Sequence, residues 1–71
     1  MNIKTKIVIA KSLRKSFNET QNNLLRDHYM SDEYLMPKLR EAQAEYKEFK
    51  RLVDEIELED KALYASEILG L

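Results

Sequence analysis

Between Leu35 and Ile56 the large apolar residues are Leu35, Leu39, Tyr46, Phe49, Val53 and Ile56, with Ala42 in the one remaining slot. The steps alternate between four and three, so a single seam follows heptad positions for three repeats. The positions between them, from Lys38, Arg40 and Glu41 through Glu45, Lys47 and Glu48 to Lys50, Arg51, Asp54 and Glu55, are charged and read as a solvated face. A stripe that narrow needs a second helix to cover it, from the same chain or from another copy. The six large seam residues are therefore the expected packing and oligomer interface.

A second helical pattern precedes it. Ile3, Ile7, Ala10, Leu13, Phe17, Leu24 and His28 recur at helical spacing, with Thr20 or Gln21 in the weak middle turn. This predicts one helix over about residues 3–28. Ser16 followed by Glu19 has the form of a capping box, and Asn18 can also cap, so a joint near residues 16–19 is the alternative. A rival pattern sits at the N-terminus, where Ile3, Thr5, Ile7 and Ile9 alternate as in a strand. Such a strand has no partner in this chain and would have to pair across a dimer.

The connection is expected at residues 29–36. Ser31 followed by Asp32 and Glu33 makes a helix start with acids in the first turn, but Pro37 would then fall within the helix. The chain either restarts at Pro37 or runs on from Ser31 with a kink, and the predicted second helix covers about residues 37–57. Past Ile56 the heptad meets Asp60. Leu58, Ala62, Ala65 and Leu69 then give a fresh stripe, with Asp60 as cap and Gly70 as stop, which predicts a short third helix at 61–69. The expected fold is all-α: one domain built on an antiparallel helical hairpin with a short third helix, completed as a homo-oligomeric bundle.

Composition supports that frame. One glycine and one proline in 71 residues leave few breaks. A chain this short buries roughly 60% of its unfolded surface, which makes an isolated core marginal. With no cysteine, neither disulfides nor thiolate metal sites are open to it. The four-residue apolar run Ile7–Ala10 is too short for a signal peptide and no run suggests a membrane span, so a cytoplasmic protein is expected. Net charge is −1, unevenly spread: residues 1–28 carry six basic and two acidic side chains, residues 29–71 six basic and eleven acidic. That division favours contact between the halves, or between copies head to tail.

Candidate chemistry is sparse. His28 is the only histidine, and on a helix its neighbour Asp27 points elsewhere, so no metal site is expected. Glu41, Glu45 and Glu48 lie off the seam and read as solvated partners of nearby cations. There is no nucleophile elbow, phosphate loop or dinucleotide fingerprint. Neither enzyme activity nor a cofactor is expected. Two surface features remain. Lys4, Lys11, Arg14 and Lys15 form a basic strip able to contact nucleic-acid phosphates or another anion. Tyr29, Met30, Tyr34 and Met36 make an aromatic and Met-rich corner suited to gripping a partner or plugging the hairpin's end.

In brevity, charge density and lack of a site, the chain resembles the small regulatory proteins of bacteria and their phages. The expected function is that of a self-associating regulator, adaptor or inhibitor that binds another protein. The alternatives are a nucleic-acid-binding regulator and an oligomer that holds a small anionic ligand.

Overall fold

Asn2 starts the first helix, its side-chain Oδ1 accepting the Thr5 N–H at 2.8 Å. In the computed structural model, which describes all 71 residues, α1 then runs unbroken over Ile3–Arg26. There is no joint at residues 16–19 and no strand at residues 3–9. With no second strand to pair with, the N-terminal segment satisfies its backbone within a helix. The helix ends two residues before the expected His28. Asp27 closes it by donating its N–H to the Asn23 carbonyl, and His28 Nδ1 donates to the Leu25 carbonyl at 3.0 Å.

The second helix, α2, covers Asp32–Glu59 and so begins five residues earlier than the expected restart at Pro37. Ser31 provides the extended N-cap backbone, and its carbonyl takes the N–H groups of Tyr34 and Leu35. Pro37 is accommodated inside the helix. Its missing N–H deprives only the Glu33 carbonyl of its helical partner, at an exposed position where water can replace it. At 28 residues and about 1.5 Å per residue, α2 is about 42 Å long, which matches the 43 Å long axis of the molecule.

The third helix, α3, is separate, as expected. Asp60 Oδ1 accepts the Leu63 N–H at 3.0 Å, and the chain is α-helical over Lys61–Tyr64 before widening into a π turn over Ala65–Leu69. Gly70 ends it with φ of 72°, and the Gly70 and Leu71 N–H groups both return to the Ala65 carbonyl. The Ile68 carbonyl at this end accepts from Arg14 Nη1 at 2.8 Å.

The core is Ile7 and Ala10 of α1, Leu52, Val53 and Ile56 of α2, and Ile68 of α3. All six lie at the end of the hairpin remote from the connection. Leu52 belongs to it although it is absent from the expected seam. Along α2, Leu35, Ala42, Phe49 and Ile56 joined by Lys38, Glu45 and Leu52 form a row that is at least half-buried throughout. The expected flank was Leu39, Tyr46 and Val53. Both sets give alternating steps of three and four around the same four residues, so the heptad rule does not distinguish them. The outcome shows in exposure: Leu52 is 1% exposed, Leu39 39% and Tyr46 52%.

The oppositely charged halves meet within one chain. Lys6 meets Glu59 at 2.8 Å and Glu55 at 3.5 Å, and Lys11 meets Glu67 at 2.5 Å.

Candidate protein-binding groove

The contacts of α3 fix its course. Leu63 and Glu67 line a small cleft with Lys4, Ile7 and Lys11, Glu67 pairs with Lys11, and the Ile68 carbonyl meets Arg14. Thus α3 lies beside α1, runs in the same direction and stops level with Arg14. It fills one half of a furrow along the hairpin. The other half, toward the connection, is not covered by any segment of the chain.

Seven-residue rows make the continuity plain. On α2, Val53, Tyr46 and Leu39 stand in one line: Val53, at the end where α3 packs, is buried, whereas Tyr46 and Leu39 are open. On α1, Ile7, Arg14 and Gln21 stand in another: the first two lie beside α3, and Gln21 lines the vacant half. The vacant half is a groove of about 830 Å³. Its floor is Phe17 and Leu24 from α1 with Leu39, Ala42 and Tyr46 from α2. The aromatic floor is well held. The Phe17 ring stands edge-on to Tyr46 at 5.6 Å and to Phe49 at 5.3 Å, contacts worth about 0.5–1.5 kcal/mol each beyond their area.

The charged residues that line the groove are Arg40 and Lys47, and no carboxylate lines it. Neither cation makes an ion pair within the chain. The pairs that do form on α2 lie elsewhere on its surface: Arg51 bridges Glu48 and Glu55, and Lys50 meets Asp54 at 3.4 Å. The hydrogen bond from Arg51 holds the Glu48 carboxyl below its ordinary range and raises the Arg51 guanidinium above its own.

The sequence-derived candidates divide. Of the six seam residues, Val53 and Ile56 are buried inside the chain and unavailable to a partner without opening the core. Leu35 and Phe49 are half-buried, and Leu39 and Tyr46 remain open. In the basic strip, Arg14 is committed to the end of α3 and Lys11 to Glu67, leaving Lys4 and Lys15 without ion pairs. Tyr29, Met30, Tyr34 and Met36 are all exposed around the connection rather than folded beneath it, and Lys38 Nζ sits 5.0 Å from the centre of the Tyr34 ring. The sequence candidates include neither the groove's Phe17 and Leu24 nor its two cations, Arg40 and Lys47. The seven-residue intervals from Phe17 to Leu24 and from Arg40 to Lys47 were the available signal.

No helix is long and apolar enough to cross a membrane. Comparison with known protein families, with curated protein sequences and with solved structures gives no match for this chain.

Proposed function

We propose that this protein is a non-enzymatic binding module, a regulator or adaptor that acts by taking a segment of another protein into the groove between α1 and α2. The observation that carries this reading is the exposure of Leu39 and Tyr46 on a groove whose other half the chain already fills with a helix of its own. An apolar, partly aromatic floor with a polar rim is the usual make-up of a protein-binding surface. The nucleic-acid alternative has less support, because Arg14 and Lys11 of the basic strip have partners within the chain.

Self-association is the second reading, since a second copy would also cover Leu39 and Tyr46. Two grooves related by a two-fold axis would bring Arg40 and Lys47 of both copies together with no groove carboxylate to offset them. That arrangement is the less favourable one.

A photo-reactive residue placed at Leu39 or Tyr46, and for comparison at the exposed Glu41, tests the reading in cells of the native source. Cross-links to another protein from positions 39 and 46, absent at 41, are expected. Cross-links to nucleic acid alone, or equal yields at all three positions, would reject it.

A further inference from the structure

We infer that the occupant of the groove is an amphipathic helix with an acidic margin, contributed by another protein and laid end to end with α3 in the same furrow. The inference rests on the reading of the groove as a protein-binding surface. It adds the chemistry of what binds there.

The filled half of the furrow serves as a template. There an amphipathic helix packs Leu63 and Ile68 against the hairpin while Glu67 at its margin meets Lys11. The vacant half repeats these conditions. Phe17 and Leu24 continue the α1 row of Ile3 and Ala10, and Tyr46 and Leu39 continue the α2 row of Val53. Arg40 and Lys47 supply rim cations as Lys11 does, but without the acid that Lys11 has. From Phe17 to Leu24 the groove runs for about two helical turns, room for two or three anchors at i, i+4 and i+7. An apolar floor with a cationic margin is complementary to leucine-type anchors flanked by glutamate or aspartate. A second copy docked groove to groove lacks this complementarity, because it would present the same cations.

The test uses the full chain and two synthetic peptides. One is a two-heptad amphipathic helix with leucine anchors at i, i+4 and i+7 and glutamates at the flanking positions. Its twin has lysine at every glutamate position. Affinity is read by fluorescence anisotropy, and the site by amide chemical-shift changes. The glutamate peptide is expected to bind, shifting Gln21, Leu24, Leu39 and Tyr46, and the lysine peptide to bind more weakly. The double variant Arg40→Glu, Lys47→Glu should bind the glutamate peptide about fivefold or more weakly and gain affinity for the twin. Both side chains are exposed and unpaired, so its thermal melt should match that of the wild type.

Equal binding of the two peptides in the groove would overturn the acidic assignment and leave the protein-binding reading standing. Failure of both peptides to bind a monomeric protein would overturn both. A dimer in light scattering that Leu39→Glu dissociates would give the groove to a second copy. Binding of a random-sequence DNA duplex at Arg40 and Lys47, with no peptide binding, would give it to a polyanion.

Discussion

The choice of flank on α2 sets every other feature of the molecule, and a pair of leucine truncations tests it. Leu52 is 1% exposed and Leu39 is 39% exposed, both on the same helix. Leu52→Ala removes a fully buried side chain beside Ile56 and leaves a cavity, at a cost of about 3–4 kcal/mol. Leu39→Ala removes a side chain that already faces water in part and opens onto the groove, so no enclosed cavity forms. Its transfer term falls to about 1 kcal/mol. A domain of this length has a total stability of about 4–10 kcal/mol, so the first change takes a large share of it and the second little. With a urea slope of about 1 kcal/mol/M, the midpoint should fall by about 3 M for Leu52→Ala and about 1 M for Leu39→Ala, at unchanged slope. Equal shifts, or a larger one for Leu39→Ala, would mean that Leu39 is buried at least as deeply as Leu52 and that the groove does not exist as described.

Four further outcomes follow from the packing. Glu45 sits in the half-buried row between Lys38 and Leu52 with its Oε1 buried and unpartnered; Glu45→Leu should raise the urea midpoint by the equivalent of about 1 kcal/mol, while Glu41→Leu on the outer face stays within about 0.5 kcal/mol. Arg14→Met deprives the Ile68 carbonyl of its charged donor and should weaken α3 docking by about 1–2 kcal/mol, seen as faster amide exchange over residues 61–71 with α1 and α2 still protected. Gly70→Ala meets no neighbour within 4 Å but must hold φ of 72°, and should loosen the same segment by about 1 kcal/mol. Two ion pairs bracket the pH range in thermal melts. Glu48, lowered by the Arg51 hydrogen bond, contributes stability above its ordinary value of 4.5 that fades as pH falls through the lowered value, and Glu48→Gln should flatten that acid limb. Lys6, raised by its hydrogen bond to Glu59, contributes below its ordinary 10.5 and fades as pH rises past it, so Lys6→Met should flatten the alkaline limb.

The helices themselves were legible because helical periodicity, the Asp60 and Gly70 caps and the scarcity of breakers all agree. Pro37 misplaced the start of α2, since a proline six residues into a helix is disfavoured as a rule yet tolerated where the orphaned carbonyl faces water. The flank of the seam was not legible for a different reason. Leu39 and Tyr46 are more apolar than Lys38 and Glu45, so a hydrophobicity rule selects them, but here Lys38 and Glu45 are the more buried and the greasier side chains the more open. Composition alone does not reveal that inversion. It is also what leaves part of a seam expected to lie under a second helix, from this chain or another copy, as the wall of a groove. Charge division between the halves pointed to contact without naming pairs, and Lys6 with Glu55 and Glu59 became visible only in three dimensions.

Because the chain has no cysteine, single thiols can be placed at will, and their labelling rates measure the groove directly. With Leu39→Cys, Tyr46→Cys and Leu52→Cys, positions 39 and 46 should react far faster than position 52, at rates that do not change with protein concentration. Position 52 should react only through global unfolding. Protection of 39 and 46 that is independent of concentration would mean that the chain fills its own groove, and protection that grows with concentration would mean that another copy does.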